Sequence, residues 1–181
     1  IIQTNLLRAP HLVRSFKQVA VDRSVTVKRT FQVAPYLRDV LVSLKPQLKK
    51  TKLQVEVKGD DAVAIHSDAG AFSQIVTNLI MNSIIHAYEP GDEGRIAIEV
   101  LTERDHELTI RYSDDGKGMP AEVADQIFNP FFTTNRSGGG TGLGMNIVYN
   151  LVTQSLGGTI RCDSRLGAGT VFTIQFPTNE G

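Results

Sequence analysis

Charge of one sign, cysteine and long apolar runs are all scarce in this chain, and each scarcity removes a class of function. Nineteen Lys and Arg side chains stand against nineteen Asp and Glu over 181 residues, so the formal net charge is zero. That leaves no electrostatic case for nucleic acid or an acidic membrane surface as partner. Cys162 is the one cysteine. It excludes an internal disulfide and a cysteine-rich zinc cage, and it suits a reducing compartment. No apolar run reaches the ~18 to 20 residues of a membrane span. No signal peptide is visible, and the chain opens on Ile1 without a methionine, so it reads as a piece of something larger. Internal repeats and low-complexity linkers are missing too. So are two common phosphate loops: no GK[ST] follows a glycine run, and no strand leads into a G-x-G-x-x-G spacing.

What is present divides the chain. In residues 1–22, Ile2, Leu6, Ala9, Val13, Phe16 and Ala20 alternate steps of four and three, a heptad-like seam interrupted by Pro10. An ordinary amphipathic helix and the stump of a dimeric helical bundle both fit it. Residues 23–26 read as a linker, 27–178 as a compact α/β unit and 179–181 as a tail. VKRTFQV alternates and predicts a strand. A helix is expected from Ala34 to about Lys49, with Pro35 in its first turn and Pro46 fraying its end. KLQVEVK and AVAIH predict strands. Asp68 can cap a long helix reaching about Tyr88. RIAIEVLTE and ELTIRYSD predict a hairpin pair, and a short helix follows Pro120. A helix is expected from about Leu143 to Leu156, closed by Gly157, before a final hairpin of GGTIRCDS and GTVFTIQFP. Strands and helices mix without βαβ regularity, which favours an α+β fold with helices on one sheet face.

The long helix is apolar nearly all round and should be buried. Yet Gln74, Asn78, Asn82 and His86 recur every four residues and form one polar stripe. A buried amide without a partner costs about 1–3 kcal/mol. The aligned stripe therefore predicts a ligand or a hard cation such as Mg2+. Asp114 ends a strand and opens DDGKG, where Gly116 and Gly118 permit a sharp turn. A carboxylate there can accept from an exocyclic amine; a plain Asp-Gly turn is the bland alternative. Residues 138–144 are GGGTGLG, five glycines in seven. Their N–H groups at a helix start suit phosphate oxygens. Phe128, Phe131 and Phe132 are expected to anchor the loop's base, and for Thr133, Thr134 and Arg136 a reach to phosphates and a solvated loop surface fit equally.

In this order, NLIMNSIIHA (78–87), DDGKG, IFNPFF and GGTGLG, with Gly167, Gly169, Thr170 and Phe172 after them, resemble the ATP-binding catalytic domain of sensor histidine kinases. That domain belongs to the gyrase, chaperone, histidine kinase and mismatch-repair ATPase superfamily, and the resemblance covers about residues 27–178. It implies a two-layer α/β sandwich of the Bergerat type and the cofactors ATP and Mg2+. By the same resemblance, Asp114 would accept the adenine amine with Thr170 beside it, helping through water. Asn82 would ligate Mg2+, and His86 would lie by the phosphates. Gly140, Gly142, Leu143 and Gly144 would form the lid, with Thr141 among the nucleotide-binding residues. Asn78 stands where hydrolytic relatives carry a water-activating glutamate. An amide cannot take that proton, which favours phosphoryl transfer to a histidine over hydrolysis.

Two positions depart from the family. Asp115 replaces a common asparagine and leaves a second carboxylate near the purine or Mg2+. Asn135 replaces a common lysine, with Arg136 next to it. The resemblance also favours the bundle stump for residues 1–22. His11, His66 and His106 do not fit an acceptor position, so the acceptor helix is expected to lie outside this chain. The implied partners are the chain's own dimerisation helices and a response regulator's receiver domain. The expected location is cytoplasmic, as the cytoplasmic portion of a homodimeric sensor that is either soluble or membrane-bound, and a monomer is one state open to this piece. A hydrolytic ATPase and a non-catalytic docking module are the rival readings.

Overall fold

The computed structural model describes residues 27–102, 107–134 and 141–178. The seam of 1–22, the linker, the tail, His11, His106, Asn135, Arg136 and Gly140 lie outside them.

β1 (Lys28–Gln32) leads directly into α1 (Val33–Leu48), followed by β2 (Lys52–Lys58) and β3 (Ala64–Asp68). α2 (Ala69–His86), β4 (Glu93–Thr102) and β5 (Glu107–Asp114) form the middle of the chain. A single turn, α3 (Ala121–Ala124), precedes α4 (Gly144–Asn150), and β6 (Thr159–Ser164) and β7 (Thr170–Pro177) close the fold. β1 and β3 pair with each other as a separate two-stranded ribbon. The main sheet has the order β2-β4-β5-β7-β6, parallel at β2–β4 and antiparallel elsewhere.

Alternation decides which face of the sheet is buried. Ile96, Ile98 and Val100 on β4, Leu108, Ile110 and Tyr112 on β5, and Phe172, Ile174 and Phe176 on β7 all point the same way and are buried. α2 covers that face with Phe72, Ile75, Val76, Leu79 and Ile80, joined by Leu37 of α1 and Val148 of α4. Burying each such side chain contributes about 1.5–3 kcal/mol. Phe31, Phe72 and Phe176 stack edge to face in a chain with centroids 5.5 and 5.2 Å apart, which ties the ribbon to the sheet through α2. The fold is therefore the expected α+β sandwich, with the β1–β3 ribbon added at one end.

Two local expectations are refined. α1 runs past Pro46 to Leu48. Proline leaves the carbonyl four residues back unpaired. That carbonyl belongs to Val42, whose residue is exposed, so water can satisfy it. The last helix does not run evenly to Leu156. After Asn150 it widens to five-residue spacing, with the Leu156 N–H donating to the Leu151 carbonyl. Gly157 at φ 65° then closes it as expected, and the Gly158 N–H reaches back to the Val152 carbonyl.

Candidate nucleotide site

α2 begins at Asp68, whose carboxylate accepts from the Ala71 N–H at 3.1 Å, as predicted for a cap. The helix then places Asn78, Asn82 and His86 in succession along one side of a cavity of about 660 Å3. Gly118, Thr133, Thr134, Thr141, Gly142 and Gly144 line it from other elements. Nine residues predicted from sequence thus converge on one space. Gln74, the first member of the polar stripe, is not among the lining residues. Leu143 is buried and acts as an apolar anchor at the start of α4.

The polar groups on this wall are not all satisfied. The Asn78 side-chain N–H2 is buried without a hydrogen-bond partner. Such a group is costly unless something polar arrives to meet it. Across the space, Gly142 sits at φ 66°, and a Cβ there would come within 2.5 Å of the Phe131 carbonyl carbon. Only glycine allows the chain entering α4 to lie so closely on the phenylalanine loop. His86 is half-buried, and burial together with the neighbouring Lys117 ammonium holds its imidazole below the usual pKa of 6.5.

Asp114, Gly116 and Thr170 do not line the cavity. Asp114 is 7% exposed at the end of β5, paired in register with Thr170 of β7. Its carboxylate accepts from the Ser83 hydroxyl at 2.8 Å and from the Gly116 N–H at 3.2 Å. The Thr170 main-chain N–H adds a third bond. Burial nevertheless raises its pKa above 3.8, the bonds working in the opposite direction. A carboxylate has about four acceptor positions. Three internal bonds therefore fix its orientation and leave one position for a ligand.

Ser83 was not singled out in the sequence. It lies on the buried side of α2, next to Asn82, and receives the Tyr112 hydroxyl at 2.8 Å while donating to Asp114. Tyr112 also reaches the Leu79 carbonyl at 3.2 Å. The available signal was the strand period, which puts Tyr112 on the same face as Asp114. Ser164 is a second unforeseen support: it donates to the Gly169 carbonyl, lies 2.9 Å from the Thr170 hydroxyl and receives the Met119 N–H.

The expectation that Asp115 offers a second carboxylate to purine or metal is corrected. Its Oδ1 accepts the Tyr88 hydroxyl and the Arg95 N–H, each at 2.8 Å, on the β4 side. The Asp115 N–H returns a bond to the Arg95 carbonyl, and the Lys117 N–H donates to the Ala87 carbonyl at 2.8 Å. These bonds fasten the DDGKG turn to the chain just beyond α2.

Known proteins match this arrangement. The model of the histidine kinase-, DNA gyrase B- and HSP90-like ATPase family matches residues 67–180. The sensor kinase CckA of Brucella abortus is 35% identical over 192 residues, covering 97% of this chain and 20% of the relative. The sensor histidine kinase ZraS of Klebsiella oxytoca is 40% identical over 115 residues, covering 64% of this chain and 24% of the relative. The chain thus spans about a fifth to a quarter of these relatives' length. The nucleotide-free catalytic domain of histidine kinase ThkA superposes with a TM-score of 0.68 at 25% identity, covering 84% of this chain and 96% of that one. ThkA solved in complex with the response regulator protein TrrA shares the fold, with a TM-score of 0.74 at 24% identity over 98% of this chain and 50% of that one. A family match over more than half of the sequence, on a shared fold, establishes that this chain belongs to the histidine kinase-, DNA gyrase B- and HSP90-like ATPase family, as an ATP-binding catalytic domain of the histidine kinase kind.

Proposed function

We propose that this chain binds Mg2+-ATP and, in its parent protein, donates the γ-phosphoryl group to a histidine on a dimerisation helix. The observation that carries this reading is the buried, unpartnered Asn78 amide on the wall of the cavity. It is a donor waiting for an anion, and a triphosphate is the anion that the fold family takes. No Asp or Glu stands among the described residues lining the cavity. A carboxylate base that could activate water is therefore missing among the described lining residues, which supports transfer over hydrolysis.

Each group has a distinct task in this reading. Asp114 uses its remaining acceptor position for the exocyclic amine of adenine, with Thr170 alongside. Gly116 and Gly118 shape the turn that brings this carboxylate to the purine. Asn78 donates to phosphate oxygens, while His86, Thr133, Thr134 and Arg136 sit by them. Gly140, Thr141, Gly142 and Gly144 close over the chain of phosphates, and Leu143 anchors that closure in the core. Mg2+ fits the donor set: among the described residues no group of three or more His, Cys, Asp or Glu forms a metal cage. A cation held by the Asn82 amide oxygen, phosphate oxygens and water needs none. Once bound, it neutralises charge that develops on the phosphates. The acceptor imidazole nitrogen forms the new bond to the γ-phosphorus as the bridging oxygen leaves with ADP. The chain's contribution is positioning and charge neutralisation.

The intact protein is read as a homodimeric sensor kinase passing its phosphoryl group to a receiver aspartate. The ThkA complex with a response regulator supports such a partner. Among the described residues no helix is long and apolar enough to cross a membrane, and a cytoplasmic site of action is part of the reading. The test is to mix this chain, ATP labelled at the γ-phosphate, and a separately made acceptor-helix hairpin. Acid-labile, histidine-linked label on the hairpin is expected. Steady phosphate release with no labelled hairpin would instead favour the hydrolytic reading.

A further inference from the structure

The 660 Å3 cavity has an imbalance that ATP exposes. A triphosphate is strongly anionic, yet the described lining residues offer it mostly neutral groups. Asn78, Asn82 and the threonines are uncharged. His86 titrates below its usual pKa and is neutral at pH 7 while no nucleotide is bound. The one standing cation among the described lining residues is Lys117, the fourth residue of DDGKG.

Lys117 also borders a second cavity of about 670 Å3, lined in part by Lys50, Glu89 and Asp92. The two spaces meet at Met81, Ile85, His86, Lys117 and Thr134. At present the ammonium is turned towards the second space, where it pairs with Glu89 Oε1 at 3.2 Å. The pair is loosely held: the side chains are 57% and 72% exposed. Exposed pairs of this kind contribute little and are screened by salt. The backbone beneath is the opposite. The Lys117 N–H is fixed on the Ala87 carbonyl at 2.8 Å, and its own carbonyl accepts the Gly167 N–H at 2.7 Å. A long side chain on a fixed base, at the junction of two cavities and held by a weak partner on one side, can exchange that partner for a stronger anion on the other.

We propose that Lys117 contacts the nucleotide's phosphates and that Glu89 competes for it in the nucleotide-free protein. The inference rests on the reading of the cavity as an ATP site. It assigns a binding role to the lysine of the glycine turn and a restraining role to a carboxylate outside the site. Glu89 does not line the ATP cavity, so its effect runs through Lys117.

The experiment is calorimetric titration of the parent chain, Lys117→Gln, Lys117→Arg and Glu89→Gln with Mg2+-ATP, alongside adenosine followed by ligand-observed NMR. Lys117→Gln is expected to weaken ATP about tenfold and to leave adenosine within about twofold, since only the phosphates lose a charge-assisted contact. Lys117→Arg restores most of the loss. Glu89→Gln is expected to tighten ATP about two- to threefold at low ionic strength, the gain fading as salt rises. ATP affinity unchanged in Lys117→Gln, equal losses for ATP and adenosine, or weaker ATP binding in Glu89→Gln would each overturn the proposal. Failure of the parent chain to bind ATP at all would sink the underlying site reading and this proposal with it.

Discussion

Ser83 and Asn78 lie little more than one turn apart on α2. Ser83 accepts a hydrogen bond from the Tyr112 hydroxyl and donates its own to Asp114, closing a chain of bonds inside the protein. Asn78 is buried as well at its amide nitrogen, yet nothing meets it. The same contrast extends around each residue. The Asp114 end, proposed to read the purine, is braced by Gly116, Thr170, Ser164 and the Tyr88–Asp115–Arg95 bonds. The Asn78 end, proposed to meet the phosphates, faces a cavity of about 660 Å3. One end is held in place by internal bonds, and the other keeps a buried donor unmet. Under the proposed reading, the site would recognise its base with fixed geometry and gain its phosphate contacts only on binding.

The sharpest way to break this comparison is to remove the polar group at each end. Asn78→Leu should cut ATP binding by about tenfold or more, because a charge-assisted donor is lost. It should also stabilise the ligand-free fold by about 1 kcal/mol, since an unmet polar group leaves the interior. Thermal melts and calorimetry on one preparation check both signs. Ser83→Ala should act in the opposite direction, destabilising the fold by about 1–3 kcal/mol as Tyr112 and Asp114 lose their shared partner. Two destabilised variants would erase the distinction between the ends.

A smaller effect should appear with pH. His86 titrates below its usual 6.5 in the folded chain. As pH falls through 6.5, the unfolded chain binds a proton that the folded chain refuses, so His86 costs stability in acid. His86→Gln should flatten the slope of stability against pH between about 7 and 5.5, measured by urea unfolding. ATP bound as proposed would reverse the balance, because phosphates favour the imidazolium; proton uptake on binding, measured in buffers of different ionisation enthalpy, should be positive near pH 7. The smallest effect is expected for Asp115→Asn. An amide oxygen accepts from Tyr88 and Arg95 as the carboxylate does, so stability should stay within about 0.5 kcal/mol of the parent. This also explains how the departure from the family's asparagine is tolerated.

The strands were legible because a half-buried sheet imposes a period of two, and β2, β5 and β7 carry it cleanly. The cavity wall was legible because polar residues at four-residue spacing stand out on an apolar helix. What sequence hid was direction and partnership. Gln74 shares the stripe but not the cavity, since the space begins a turn further on. Ser83 carries no sequence signal of its own, and its value appears only when β5 brings Asp114 within hydrogen-bond reach. Asp115 looked like a second ligand because adjacency in a turn does not say which way a side chain leaves it. Tyr88 and Arg95, both outside the motifs, decide that.

Whether Asp114 reads the base within an ATP site is decided by calorimetric titration of the parent chain and Asp114→Asn with Mg2+-ATP. One saturable site is expected in the parent and at least about a tenfold loss in the variant, where an amide replaces a carboxylate held by three bonds. Absence of binding at millimolar ATP, or equal affinity in the two proteins, would contradict that role.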